Sequence, residues 1–336
     1  MRAAVFKGVG RPLVVEACPD PKPATGEVVI RVGRCGICSS DLHMTSGLAY
    51  TYPAESILGH EYAGEVVEVG SGVESLKVGD RITAMPMAGC GACLECLRGF
   101  PLGCTAMRSL MSGYAEYACA SARSAVKLPS SLSFADGALI EPLASSLRGV
   151  AMSGIRPGSR VVVLGVGPIG MGAIYWSRLL GAGAVIAVAK SDRQRDLALH
   201  LGATQFLTQS EDLAQRLGAD PDGLAEIVFE CVGAPGALGA AASLAAPRGT
   251  VVVLGMCMSA DSINPFFLGF KSLVMKFSAA YELRDFEAAA HAMDRGAVEP
   301  RAMVSDTIPL SGLPALFERL RQKPAGCKTL VDPGAA

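Results

Sequence analysis

RVVVLGVGPIGMGAIYWSRLL, residues 160–180, is the stretch on which the reading of this chain turns. The continuous apolar run Val161 to Leu164 is what a strand covered by helices on both faces requires. Gly165-Val166-Gly167-Pro168-Ile169-Gly170 follows and opens an uncharged helical run, so the G-x-G-x-x-G pattern stands between strand and helix, where it has a use. Gly165 permits the tight turn, Gly167 lets a pyrophosphate approach the backbone, and Gly170 lets helix and strand touch. Pro168 and Ile169 begin the helix whose N–H groups face a bound dinucleotide. About 20 residues beyond Gly170, where an Asp or Glu binds the adenosine ribose of NAD, the chain has Ala189, then Lys190, Ser191, Asp192 and Arg193. Absence of the acid removes repulsion toward a 2′-phosphate, which Lys190, Ser191 and Arg193 can bind, so NADP is expected over NAD. A solvated helix start capped by Asp192 is the plainer alternative.

Around this stretch the texture is consistent. AVIAVAK, RQRDLALHLGA, GLAEIVFECVG, APGALGAAASLAAP and GTVVVLG alternate apolar strand with helix, which predicts a parallel sheet wrapped by helices. Upstream, EVVIRVG and AGEVVEVGSGV read as short strands, the second half-buried by its Val/Glu alternation, and an all-β-leaning domain ends near Ser146. Ser133 precedes an apolar helical run. Past Tyr281 come two helix candidates, LRDFEAAAHAMDRG and LSGLPALFERLRQ, then KTLVD, a strand predicted to return to the first domain.

The chain has 336 residues, 50% hydrophobic, enough for about two domains and too apolar for intrinsic disorder. Thirty Lys and Arg against 31 Asp and Glu leave no basic field to gather nucleic acid or an anionic membrane. The first thirty residues lack a signal peptide's apolar core and cleavage site, so a cytoplasmic protein with reduced thiols is expected. Val161 to Ser177 is too short and glycine-interrupted for a membrane span.

Cys90, Cys93, Cys96 and Cys104, separated by two, two and seven residues on a glycine-rich loop, suit a closed tetrahedral zinc site that holds structure. A second, dispersed set is Cys38 in GICSSDLH, His60 and Glu61 in GHEYAGE, and Glu141 in ALIEPLA; mixed S, N and O donors suit a catalytic zinc with an open position. The residues alone leave open whether Cys35 or Cys38 binds. His200 and His291 read as ordinary histidines, and Cys18, Cys119, Cys231, Cys257 and Cys327 as small buried packing residues.

GHEYAGEVVEVGSGV, the four-cysteine lobe and GVGPIG, in that order, resemble the zinc-dependent medium-chain dehydrogenase/reductases, which include alcohol, sorbitol and threonine dehydrogenases. The resemblance covers nearly the whole chain. It implies a GroES-like β-rich catalytic domain (1–146, with the zinc lobe at about 88–106), a Rossmann doubly wound domain (147–282) and a C-terminal return (283–336), with the active site in the cleft between domains. It also implies Cys38, His60 and Glu141 as catalytic zinc ligands, Glu61 nearby as an exchanging fourth ligand, and Cys35 as a bystander. Ser40 would touch the reacting alcohol, His43 would pass its proton to solvent, and Asp41 would fix the loop. The implied activity is hydride transfer between NADP(H) and a secondary alcohol or polyol, or the matching ketone or aldehyde, by a homodimer or homotetramer. A zinc-free enone or quinone reductase lacks a use for Cys38, His60 and Glu141, and a nonenzymatic NADPH binder lacks one for Ser40 and His43. The segment Phe277 to Tyr281 and the loop Met256 to Phe270 depart from the family pattern, and Tyr50, Tyr52, Phe266 and Phe267 are candidates for an apolar substrate pocket.

Overall fold

The computed structural model describes residues 1–48, 50–220, 223–296, 299–322 and 326–335. They form two compact units, Met1–Ala144 with Tyr281–Ala336, and Ser145–Ala280.

The first unit is built on the long strand Glu27–Gly36, which pairs antiparallel with Glu61–Val69, Tyr117–Ser121 and Lys328–Asp332. Its inward residues Val28, Ile30 and Val32 share one core with Phe6, Tyr62, Val66, Ile82 and Tyr114. Helix Leu313–Gln322 closes that core with Leu313, Leu316 and Phe317, an i, i+3, i+4 stripe. KTLVD does return to this sheet, Leu330 facing Gly36 and Val331 facing Cys35. The half-buried alternation expected of AGEVVEVGSGV holds only from Glu65 onward. Glu61 to Gly64 are buried throughout, so the first half of the strand carries no exposed face.

Helix Phe134–Met152 starts where Ser133 foretold, through a reciprocal cap. The Asp136 carboxylate accepts from the Ser133 N–H and hydroxyl, both at 2.7 Å, while the Ser133 hydroxyl accepts from Asp136 N at 3.2 Å. Arg301 adds two bonds to the same carboxylate, from Nε at 2.6 Å and Nη2 at 3.0 Å.

The second unit is a six-stranded, wholly parallel sheet in the order Gln205–Thr208, Ala184–Ala189, Arg160–Leu164, Ala225–Glu230, Ala245–Val253, Val274–Phe277. This is the doubly wound order whose reversal lies between the strands ending at Leu164 and Glu230, a switch point that leaves a crevice for ligand. Val161 to Leu164 are buried, as the apolar run required. No helix among the described residues is long and apolar enough to cross a membrane.

Burial works against ionisation of Asp136, but Arg301 and Ser133 outweigh it and hold its pKa below the ordinary aspartate value. A depressed folded-state pKa stabilises the fold above the unfolded-state value of about 3.9 and loses that contribution as pH falls. Asp136→Asn should therefore cost about 1–2 kcal/mol near neutrality. In denaturant titrations the gap to wild type should narrow below about pH 4.

Candidate metal centre and dinucleotide turn

Strand Glu27–Gly36 ends at the register Gly36 opposite Glu61, and Ile37 N donates to Thr329 O at 3.0 Å. Three chain segments far apart in sequence thus meet just before Cys38. Gly36 is required here, since a Cβ on it would lie 1.9 Å from Glu61 Oε2. Helix Ser39–His43 follows, and the Cys38 sulfur caps it, accepting from Ser40 N at 3.5 Å and from the Ser40 hydroxyl at 3.1 Å.

Cys38, His60 and Glu61 place one donor atom each within 4.8 Å of one another. His60 Nε2 lies 3.4 Å from Ser40 Oγ on the Cys38 side, and its Nδ1 faces Asp41 Oδ1 at 3.2 Å. The ring is therefore oriented with Nε2 as the free donor and Nδ1 toward a carboxylate, the usual arrangement of a metal-binding histidine. Burial pulls the His60 pKa down, but the charges of Asp41 and Cys38 outweigh it and push it well above the usual histidine range. Asp41 is fully buried and accepts from the Tyr114 hydroxyl at 2.6 Å.

Glu61 is held by Lys328, whose ammonium donates to its two carboxylate oxygens at 2.5 and 2.6 Å and to Ile37 O at 3.1 Å. Both side chains are about 1% exposed. Glu141 stands outside the three-atom set. It is buried in helix Phe134–Met152 and hydrogen-bonded to Tyr281, and burial raises its pKa to about 7. Within 4.8 Å the fold gathers Glu61 with Cys38 and His60, and Glu141 is a neighbouring carboxyl that feels the charges of His60, Glu61 and Lys328. Mixed S, N and O donors beside this much buried acid fit a divalent cation, and zinc in particular.

Cys35 is excluded from the set. It is fully buried, and its thiol donates to Gly36 O at 3.6 Å. His43 is half-buried at the end of its helix. His200 and His291 are exposed helix residues in neither donor set. Cys18, Cys119, Cys231, Cys257 and Cys327 are half-buried, where full burial was expected; Cys119, for one, lies on a strand whose neighbours Ala118 and Ala120 take the core positions.

Cys90, Cys93, Cys96 and Cys104 also converge within 4.8 Å. Cys90 and Cys96 sulfurs are 4.0 Å apart, close to the edge of about 3.8 Å that a tetrahedron with 2.3 Å Zn–S bonds demands, and none of the four is in a disulfide. Cys93 N donates to the Cys90 sulfur at 3.3 Å and Cys90 N to the Cys104 sulfur at 3.4 Å. The N–H groups of Ala92 and Cys93 lower the Cys90 pKa to about 6. The set fits a closed zinc knot.

In the second unit the three glycines divide their work sterically. Gly165 has φ +95°, and a Cβ there would meet Val232 and the Cys231 backbone at 2.9–3.0 Å. A Cβ on Gly170 would lie 1.9 Å from Gly165 O, whereas one on Gly167 would meet nothing within 4 Å. Gly167 therefore faces open space at the start of helix Pro168–Leu179, ahead of Ile169. Ala189 ends its strand, and Lys190, Ser191 and Arg193 are exposed beyond it. Sequence reasoning missed Glu230, a buried acid that closes the strand Ala225–Glu230. Its Oε1 accepts from Val232 N at 2.6 Å and Gly233 N at 2.9 Å, fixing the segment that touches Gly165. It also missed Tyr114 and Lys328, for which no spacing signal exists, and it singled out Tyr281 only as the end of the unusual segment Phe277 to Tyr281. Asp261 pins the unusual loop after Gly255 by accepting from Gly236 N at 2.7 Å and Leu238 N at 3.2 Å. Of the pocket candidates, Tyr50 meets Tyr52 edge-on in the first unit, while Phe266 and Phe267 are exposed in the second.

Residues 24–130 match the alcohol dehydrogenase GroES-like domain, and residues 168–295 match the zinc-binding dehydrogenase domain. The chain is 30% identical over 319 residues to a 2-dehydro-3-deoxy-L-galactonate 5-dehydrogenase of Pseudoalteromonas atlantica, covering 92% of both. It is 31% identical over 334 residues to (R,R)-butanediol dehydrogenase of Bacillus subtilis, covering 95% of this chain and 96% of the relative. A zinc-binding dehydrogenase of Sinorhizobium meliloti 1021, solved bound to NADP, matches with a TM-score of 0.89 at 34% identity, over 99% of both chains. The fold and site define a zinc- and nicotinamide-dependent oxidoreductase of the alcohol dehydrogenase class. The chain belongs to the zinc-dependent medium-chain dehydrogenase family.

The glycine geometry predicts a clean contrast. Gly170→Ala should lower the melting temperature by several degrees, since its Cβ collides with backbone; Gly167→Ala should leave melting nearly unchanged and weaken dinucleotide binding in a fluorescence titration.

Proposed function

We propose that the protein oxidises a polyol or other secondary alcohol with NADP, and in reverse reduces the ketone or aldehyde with NADPH. The convergence of Cys38, His60 and Glu61 beside the Ser40 hydroxyl carries this reading. Cys38 and His60 would hold the zinc, with Glu61 and Glu141 the two carboxylates available for the remaining protein position. Zinc there supplies Lewis-acid polarisation of the alcohol oxygen, and the nicotinamide accepts the hydride.

The chain's own residues do the rest. The Ser40 hydroxyl, 3.1 Å from the Cys38 sulfur, is placed to take the proton of the reacting alcohol. His43, one helical turn on, passes it toward solvent. Asp41 holds the His60 ring in the orientation that presents Nε2. Lys328 neutralises Glu61, which offsets the cost of burying that carboxylate beside Glu141. Cys90, Cys93, Cys96 and Cys104 would hold a structural zinc.

Gly165, Gly167, Pro168, Ile169 and Gly170 would receive the pyrophosphate, and Lys190, Ser191 and Arg193 the 2′-phosphate, a preference supported by the NADP bound to the Sinorhizobium relative. The relatives named for a deoxygalactonate and for butanediol support a secondary alcohol on a short hydroxylated skeleton. Homodimer or homotetramer formation is supported by the outermost strand of the parallel sheet, which exposes Val274 and Phe277 near Phe266 and Phe270 in sequence. Eleven unpaired cysteines suit a reducing, cytoplasmic setting.

The decisive experiment is a panel of alcohols and ketones with NADP and NAD on zinc-replete protein, followed by reduced-nicotinamide absorbance. No turnover of any secondary alcohol overturns the reading, and a strong preference for NAD overturns the cofactor assignment. Arg193→Ala should weaken NADP binding about tenfold and leave NAD binding unchanged. Cys38→Ser should abolish turnover while keeping one zinc per chain, whereas Cys93→Ser should chiefly lower stability; normal turnover in Cys38→Ser excludes the site.

A further inference from the structure

We propose that Tyr114 is a positioning residue of the metal centre, acting through Asp41 on His60; this rests on the reading of Cys38, His60 and the neighbouring carboxylates as a zinc site. The phenol is fully buried, and its hydroxyl donates to Asp41 Oδ2 at 2.6 Å. The other oxygen of that carboxylate faces His60 Nδ1 at 3.2 Å. His60 Nε2 then lies 3.4 Å from Ser40 Oγ, which donates to the Cys38 sulfur at 3.1 Å. Hydrogen bonds from Tyr114 to Asp41 and from Ser40 to Cys38 thus flank a 3.2 Å approach of Asp41 Oδ1 to His60 Nδ1, which leads from a tyrosine in the core to two of the three donor residues.

The tyrosine is fixed at its own end. Its N–H donates to Leu58 O at 2.9 Å, two residues before His60, and its carbonyl accepts from Ala4 N at 2.8 Å. Backbone pairing therefore sets the height of the ring against the histidine segment, and the hydroxyl sets the rotation of the Asp41 carboxylate. A carboxylate held at one oxygen presents the other in a single direction, which keeps the imidazole plane turned toward the metal position. Partners of this kind, one step beyond the ligands, are worth roughly tenfold to a hundredfold in metal affinity. Packing alone does not call for the hydroxyl, because Phe fills the same volume; without it a fully buried Asp41 oxygen loses its donor.

The test uses the full chain loaded with cobalt in place of zinc, comparing wild type, Tyr114→Phe and Cys38→Ser. The part of the visible cobalt spectrum that disappears in Cys38→Ser reports this centre, and the four-cysteine knot serves as the internal reference. Tyr114→Phe is expected to shift that part of the spectrum and to lose this metal to a competing chelator about tenfold more readily, with the knot's metal retained as in wild type. An unchanged spectrum and affinity overturn the proposal. So does equal weakening of both metals, which would mark a general loss of structure. If wild-type protein takes up no metal that depends on Cys38, the metal reading itself fails, and the role of Tyr114 falls with it.

Discussion

The first unit is organised around buried negative charge. Asp41, Glu61 and Glu141 are all at least 93% buried within one group of strand ends and the helix beside them. Taking an ion out of water costs several kcal/mol even after relaxation, so each carboxyl needs its own compensation. Asp41 finds Tyr114 and His60, Glu61 finds Lys328, and Glu141 is drawn toward its neutral form with Tyr281 alongside. Those partners lie up to 267 residues away in the chain. The C-terminal strand thus does more than extend the sheet: it delivers the Lys328 ammonium that pairs with Glu61 where it is buried next to Cys38 and His60. Cys38, His60 and Glu61 place their donor atoms within 4.8 Å of one another in the midst of this charge.

The second unit meets a constraint of another kind. Its turn is decided by sterics: a Cβ on Gly165 would press on Val232 and the Cys231 backbone and one on Gly170 on the Gly165 carbonyl, while Gly167 faces open space. Glu230 then uses its carboxylate on two N–H groups to hold the adjoining segment in place. The four cysteines follow a third principle, spacing on a short loop that the Met87–Ala88 and Arg108–Ser109 pairing brackets and that Arg123 and Leu283 also hold through Gly91 O and Gly99 O.

How legible each was follows from how local it is. The glycine turn and the four cysteines were readable because their requirements are met within twenty residues of chain. The alternation of apolar strand and helix was readable because a parallel sheet covered on both faces tolerates no other pattern. Cys35 against Cys38 was not decidable from residues, since a two-residue spacing puts either sulfur on the same loop; in the fold Cys35 is buried toward Gly36 O while Cys38 stands with His60 and Glu61. Glu61 and Glu141 were both visible, but their order of approach to Cys38 and His60 depends on strand register, which places Glu61 opposite Gly36.

By itself the sequence determined the two kinds of texture, the dinucleotide turn, the cysteine lobe and the residue types of a mixed-donor centre, because each is a requirement of covalent spacing or periodicity. Only the tertiary structure decided which charges are buried and what answers them: Tyr114, Tyr281, Lys328 and Glu230 carry no motif, and their roles exist only once distant strands are in register. The physical reason is that backbone geometry is specified over a few residues, whereas the free energy of a buried charge depends on everything within several ångströms of it, wherever along the chain that neighbour arises.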